Sequence, residues 1–525
     1  MLNTPTADVR YRLLLSLVSL IGIAFALTAT SKYGAGMSSD AARNLSTADS
    51  LLAGKGFVDM VGAPFVLWPP LYPLLLAGLS GAIGLSTFEV AWYLNVILFG
   101  LNLWIAGWWL FTLFRMKPFF AVAGVLVMLF SRSLLRIHAN VASEPLFESL
   151  ILVFLLASAA YLRHGSAAGL WVMCVAAGLA ALQRYLGVAL LGVAAVVILR
   201  REGLLGMKRG VVPWLLAVLP IAGWVLLHNI PASGSPFGPR ELGAMLPLQN
   251  IGLSLTKMLW WFVPRWGVLD GLLLRPWLPL GLAAALLVLV NSRRDWLLWG
   301  REITDDRLWP AVLFGGAYFL LLAFTVVTAD HLDLTSDRYY IILLPIVVAL
   351  AFSSLDALLL RRLGGYTRRS VIVMACGMMV WAIYPVYAVQ AYLSQAISQG
   401  EPTNYNIANS AQFREMSVVK AAERILQAEP GALVYSNYVN IAWFIFAHPV
   451  QPLPFGDQDL SPGERLEALK RDYPTWPDRP GYLVWFIPNQ YHHIVAPGEL
   501  AAIADLELLF EDETGQVFAV MKQGQ

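Results

Sequence analysis

From residue 12 to residue 392 the chain is a succession of apolar runs, most of them about as long as a bilayer core is thick. They lie near 12–30, 66–85, 88–114, 118–138, 145–162, 167–183, 185–200, 211–229, 273–291, 308–329, 339–360 and 370–392. A helix rises about 1.5 Å per residue, so about 20 apolar residues cross a hydrocarbon core about 30 Å thick. So many such runs cannot be buried around one soluble core, and the chain reads as a polytopic membrane protein in contact with membrane lipids. Composition agrees: 13% of residues are charged and 58% hydrophobic, where soluble domains carry about 25% charged residues. The net charge of +2 and the lack of a basic patch with interleaved aromatics exclude nucleic acid as a partner. Cys174 and Cys376 both lie inside apolar runs, so neither a disulfide framework nor a metal knuckle is expected. Arg10 and Arg12 precede the first run as in a signal peptide, but no small-residue cleavage site follows. It reads as a retained first helix.

Loop charge decides which runs cross. Basic clusters fall at Arg115/Lys117, Arg163, Arg200/Arg201 with Lys208/Arg209, Arg293/Arg294/Arg301, and Arg361/Arg362 with Arg368/Arg369. Cytoplasmic loops are enriched in Lys and Arg. With a cytoplasmic amino end and twelve crossings, every cluster lands outside; if 66–85 does not cross, every cluster lands inside. That run opens on Trp68-Pro69-Pro70 and carries Pro73, Gly78, Gly81 and Gly84, which suits a re-entrant or surface-lying hairpin packed against protein. About eleven crossings are therefore expected. The polar stretches 31–66, 138–145, 183–185, 230–270 and 330–340 then share the outer side.

The expected division is an all-α transmembrane domain over 1–399, with 31–87 as its first outer loop and juxtamembrane helices, and a soluble extracytoplasmic domain over 400–525. In the tail, 416–428 has helical spacing, 432–436 and 482–487 read as buried strands, and 506–510 and 516–520 as a closing pair. This is a small α/β domain without a Gly-rich phosphate loop or a nucleophile elbow.

Two readings stand for each polar candidate. Asp40 is a carboxylate near a membrane core, and such groups are functional by default; it could equally be a helix N-cap. Glu144, in Ser143-Glu144-Pro145, either serves a site or caps the next crossing. Arg184 and Arg338 lie on the outer side, against the charge bias. They suit bidentate phosphate binding or interfacial snorkelling. Tyr185, Tyr339 and Tyr340 fit an interfacial belt. His138 has no neighbour at metal-ligand spacing, so no protein-built metal site is expected, although with Glu144 it could contact a divalent cation.

Taken together these stretches resemble the GT-C superfamily of integral-membrane glycosyltransferases, in the branch of dolichyl-phosphate-mannose–protein mannosyltransferases and bacterial aminoarabinose transferases. The matching phrases are Asp40, Leu51-Leu52-Ala53-Gly54-Lys55-Gly56-Phe57, Pro69-Pro70-Leu71-Tyr72-Pro73, Ser143-Glu144-Pro145-Leu146-Phe147, Arg184-Tyr185-Leu186-Gly187, and Asp337-Arg338-Tyr339-Tyr340 with Leu344-Pro345. They run in order from about residue 10 to 395. Two departures matter: Ala41 stands where many relatives have Glu, and Trp68 where they often have Lys before the double proline.

The resemblance implies a polyprenyl-phosphate-linked sugar as donor and a glycan, lipid or protein hydroxyl as acceptor. It implies an inverting displacement at the extracytoplasmic face of a bacterial cell membrane. Asp40 would be the general base, Glu144 a second catalytic carboxylate, and Arg184 and Arg338 the donor-phosphate clamp. Substrate contacts would come from His138, Tyr185, Tyr339, Trp68 and Tyr72. No cofactor is implied beyond a divalent cation left open. The rival expectation is a non-catalytic lipid or sugar transporter, or a membrane scaffold subunit. The absence of a detectable inverted repeat counts against the transporter.

Overall fold

The computed structural model describes residues 5–115, 117–206, 208–239, 258, 260–262, 300–301, 303–328, 336–360, 366–457, 460–487 and 493–523. The expected run 273–291, most of the loop beyond residue 239 and residues 330–335 lie outside them. In chain order the helices are α1 Pro5–Ala29, α2 Ser39–Leu52, α3 Leu71–Ile83, α4 Thr87–Leu113, α5 Pro118–Leu129, α6 Arg132–His138, α7 Glu144–His164, α8 Ala167–Gln183, α9 Val188–Gly206, α10 Lys208–Trp224, α11 Trp309–Thr328, α12 Leu344–Ser354 and α13 Arg368–Gln399. The tail adds α14 Ser417–Ala428, α15 Val439–Phe446 and α16 Pro462–Asp472, with strands β1 Leu433–Ser436, β2 Val450–Pro452, β3 Gly481–Phe486, β4 Ala504–Asp512 and β5 Gly515–Lys522.

Among the described residues six helices are long and apolar enough to cross a membrane, and a seventh span results if α5 and α6, bent by 58° at their junction, count as one. The protein is thus an integral, multi-pass membrane protein. α8 and the apolar part of α11 are shorter apolar helices, and so is α3. With 13 residues, α3 reaches only about 20 Å, short of the ~30 Å core. That length suits the reading of 66–85 as a non-crossing hairpin. Lipid-facing character is plainest in α13, whose most apolar 18-residue window is only 6% buried.

The chain divides into two compact units. The first comprises 1–29, 66–75 and 91–394. Its helices approach closely where side chains are absent: a Cβ on Gly100 would lie 2.9 Å from the Ser19 carbonyl of α1, and one on Gly178 of α8 would lie 2.7 Å from the Ala217 carbonyl of α10. Inside a membrane, dispersion and close backbone approach replace the hydrophobic effect as the force between helices.

The second unit comprises 30–65, 76–90 and 395–525. Its sheet has the order β2-β1-β3-β5-β4, with β1 parallel to β2 and β3, and the β4–β5 hairpin antiparallel to its neighbours. One side of the sheet packs Tyr435, Leu469, Trp476, Leu483 and Trp485 into a core. The buried stripe Val418, Val419, Ala422 and Leu426 of α14 belongs to the same unit. β1, β3, β4 and β5 fall within a few residues of the runs expected at 432–436, 482–487, 506–510 and 516–520, while β2 was not expected.

Candidate functional site

The sequence candidates fall in both units.

In the first unit, Glu144 opens α7. Its Oε1 lies 2.8 Å from Arg184 Nη1 and 3.5 Å from Arg338 Nε. The Glu144 side chain is 6% exposed, and those of Arg184 and Arg338 are 16% and 20%. Ser143 is the N-cap of α7 but makes no side-chain cap bond, and Glu144 lies in the first turn, where its charge suits the helix dipole. The Ser143 hydroxyl instead accepts a hydrogen bond from Arg184 Nη1 at 2.9 Å. One carboxylate facing two guanidinium groups leaves these three side chains with a net charge of +1. In a poorly solvated place that excess favours an anion with several acceptor oxygens.

Each arginine is aimed by its local backbone. Arg184 is the extended residue ending α8, and Gly187 follows in the turn Tyr185–Gly187. A Cβ on Gly187 would sit 2.1 Å from the Ala180 carbonyl oxygen, which gives the Arg-Tyr-x-Gly phrase a steric meaning. Gly187→Ala should push the turn off α8 and displace Arg184. We expect at least a ~10-fold loss of turnover at normal expression, since a misplacement of about 1 Å can cost ~10² in rate; wild-type turnover from this variant would remove Gly187 from the site.

Arg338 lies in the one-turn helix Asp337–Tyr339. Asp337 anchors that turn to α6, accepting from Ser133 Oγ at 2.5 Å and pairing with Arg136 at 3.4 Å. Tyr318 of α11 donates to the Tyr339 carbonyl at 2.9 Å. The Arg338 guanidinium also lies 5.1 Å from the Tyr339 ring centre, so Tyr339 contacts the clamp. Asp337 was part of a matched phrase, but its anchoring role has no signal in local spacing.

Other sequence candidates spread around this cluster. The Tyr185 hydroxyl donates to the Val66 carbonyl at 2.9 Å and accepts from Asn229 Nδ2 at 2.7 Å. Tyr72 is buried, with Asn95 beside its hydroxyl, and Trp68 is half-buried just ahead of the double proline. His138 is fully buried, with Nδ1 2.9 Å from the Leu134 carbonyl and Nε2 3.1 Å from Asn102 and 3.7 Å from Glu148. Its partner is thus Glu148, a carboxylate one turn beyond Glu144 that sequence reasoning passed over. A carboxylate inside an apolar span was the available signal. Asn102 Nδ2 also donates to the Pro145 carbonyl at 2.9 Å, and Asn102 Oδ1 accepts from Ser149 at 2.5 Å. This network ties α4 and α6 to the first turn of α7, where Glu144 sits. No group of three His, Cys, Asp or Glu able to hold a metal ion occurs among the described residues.

The second unit carries Asp40, the second residue of α2. Ser38, not Asp40, is the N-cap, accepting from the Ala41 amide at 3.1 Å. The Asp40 carboxylate is therefore not used as the cap, and the capping alternative falls. α2 buries Ala41, Ala42, Leu45 and Ala48 and packs on α15. Asn44 is buried with Nδ2 on the Asp40 carbonyl at 2.7 Å. Farther along α2, Asp49 accepts from Thr87 at 2.7 Å, and burial raises its carboxyl pKa above the ordinary range despite that bond.

No protein-family model matches the chain, and no curated protein matches it. Solved structures do, and they are integral-membrane glycosyltransferases of the GT-C type. The chain has the GT-C fold. It is similar to ArnT from Cupriavidus metallidurans in the apo state, with a TM-score of 0.58, 15% identity and 98% of each chain covered. The same protein bound to undecaprenyl phosphate matches at a TM-score of 0.56 and 16% identity, again over 98% of each chain. The Archaeoglobus fulgidus oligosaccharyltransferase in complex with zinc and sulfate matches over 96% of this chain and 73% of that one, at a TM-score of 0.50 and 12% identity.

Proposed function

We propose that the protein is a membrane glycosyltransferase that moves a sugar from a polyprenyl-phosphate donor to an acceptor hydroxyl at the extracytoplasmic face, with inversion. The carrying observation is the buried meeting of Arg184 and Arg338 on Glu144, in a fold whose relative ArnT was solved with undecaprenyl phosphate. The chemistry balances on this chain's own groups. Asp40 takes the proton of the acceptor hydroxyl as its oxygen bonds to the anomeric carbon, and the bond from that carbon to the phosphate oxygen breaks. The electron pair leaves with the phosphate. The donor diester carries one negative charge and the departing monoester gains a second, and that gain is what Arg184 and Arg338 stabilise. Glu144 holds the two guanidinium groups together and is assigned to positioning a substrate hydroxyl. Tyr185, Tyr339 and Trp68 are assigned to substrate contact, and the buried Tyr72 and His138 support the helices that carry the site. The outer-face orientation rests on the sequence expectation that the basic loops are cytoplasmic, and a bacterial cell membrane suits the polyprenyl carrier.

The test is to supply purified protein in nanodiscs with a panel of polyprenyl-phosphate sugars and candidate acceptors, reading products by mass spectrometry. Transfer from at least one donor is expected; release of neither sugar nor polyprenyl phosphate from any of them would sink the reading. Arg338→Ala should weaken donor binding more than acceptor binding, by about 10-fold or more in donor KM, because a charge-assisted phosphate contact is worth about 1.5–3 kcal/mol. Equal loss for both substrates would remove its phosphate role.

A further inference from the structure

Residues 33–38 lead directly into α2 and Asp40, and within the second unit they are held by a segment from the far end of the chain. Asn409 Nδ2 donates to the carbonyls of Tyr33 and Ala35, at 2.6 and 2.8 Å. Asn406 Oδ1 accepts from the Met37 amide at 3.1 Å, and the Ile407 amide donates to the Met37 carbonyl at 2.7 Å. Asn406 Nδ2 in turn donates to the carbonyls of Glu401 and Asn409. Asn406 is 6% exposed and Asn409 is fully buried. At the outer edge Glu415 accepts from Tyr33 Oη at 2.8 Å and Lys32 Nζ at 3.2 Å. The tail segment closes on Tyr33 through Gly400, at φ +81°, where a Cβ would come within 2.7 Å of the Tyr33 ring.

We propose that the stretch Asn404–Ser410, reading NYNIANS, is a clamp that positions Asp40. The inference rests on the reading of Asp40 as general base. Gly34, Ala35 and Gly36 carry little or no side chain, and hydrogen bonds at Tyr33, Ala35 and Met37 hold their path. Those bonds run to the buried Asn406 and Asn409 side chains and to the Ile407 backbone amide of the tail. A fully satisfied buried network of this kind rigidifies what it holds, and a base must be held within hydrogen-bond reach of the proton it removes. The carboxy-terminal segment thereby acquires a role in turnover although it touches no reacting atom.

The test uses the full-length protein in nanodiscs, with the donor and acceptor found above. Asn409→Ala should lower kcat by about 10- to 100-fold with both KM values nearly unchanged, the effect of misplacing a catalytic group by about 1 Å. Deuterium uptake in the peptide covering 31–38 should accelerate in the same variant, a readout that needs no substrate. Gln516→Ala removes the exposed Gln516–Glu511 bond of the β4–β5 hairpin, outside the segment that meets 33–38, and should leave kcat and that peptide's exchange at wild-type values. If Asn409→Ala does not fold, Glu415→Gln, at the exposed edge of the clamp, should still lower kcat and speed exchange, by smaller factors. Wild-type kcat and exchange in the clamp variants, or an equal kcat loss in Gln516→Ala, overturns the clamp. An Asp40→Asn protein that is inactive beside a fully active Asn409→Ala protein overturns the clamp alone, and an active Asp40→Asn protein overturns the base assignment first.

Discussion

Asp40→Asn is expected to lower kcat by about 10²- to 10⁴-fold, the range for removing a positioned general base, while the protein still inserts, folds and binds donor. The pairing of large kinetic and small structural effects follows from where Asp40 sits. Ser38 caps α2, so the cap itself does not depend on the Asp40 carboxylate. What the helix forfeits is the favourable charge in its first turn, about 0.3–1 kcal/mol. Asn keeps the side-chain volume, and the Asn44 bond is made to the Asp40 backbone carbonyl, which the substitution leaves in place. The measurement is single-turnover transfer alongside a melting curve in the same detergent. Wild-type turnover with an unchanged melt would remove Asp40 from the mechanism, and a transporter or scaffold would give that outcome.

Arg184→Ala is expected to cost about 10²- to 10³-fold in kcat/KM for the donor, the usual scale for losing one preorganised group aimed at developing charge. It is also expected to destabilise the fold more than Arg338→Ala. Removing one partner of a buried ion pair leaves an uncompensated charge and costs about 3–5 kcal/mol, and Arg184 is the nearer partner of Glu144, at 2.8 Å against 3.5 Å. Arg338 remains as a second partner, so the cost should fall at or below the lower end of that range. Arg184→Lys separates the two effects. A lysine keeps the charge, and so most of the stability, but loses the planar fork that meets phosphate in two places. Donor kinetics for Arg184→Lys should stay close to the alanine variant while its melting temperature returns toward wild type. If Lys restores both together, Arg184 serves the fold and not the donor.

The sequence carried different parts of this protein with different clarity. Asp40 was visible as a carboxylate at the edge of an apolar region, but its alternative as a cap could be dismissed only once Ser38 was seen taking that place. Arg184 was conspicuous as an outer-side cation; that its turn requires Gly187 became plain only from the 2.1 Å approach to Ala180. His138 pointed to Glu144 on paper and meets Glu148 in space. Glu148 went unremarked because a glutamate among apolar residues has no periodic signature, and its partner Asn102 lies in a different helix.

Apolar run length and the alternation of β1, β3, β4 and β5 are local quantities, written in neighbouring residues and set by how one helix or strand meets lipid or a core. From them alone come the multi-pass membrane domain and the small α/β tail. Which carboxylate faces which guanidinium, and which asparagine holds the path into α2, are matters of close approach between segments hundreds of residues apart. Those pairings were decided by the tertiary structure, because hydrogen bonds and ion pairs act over about 3 Å and only the folded chain brings their partners that near.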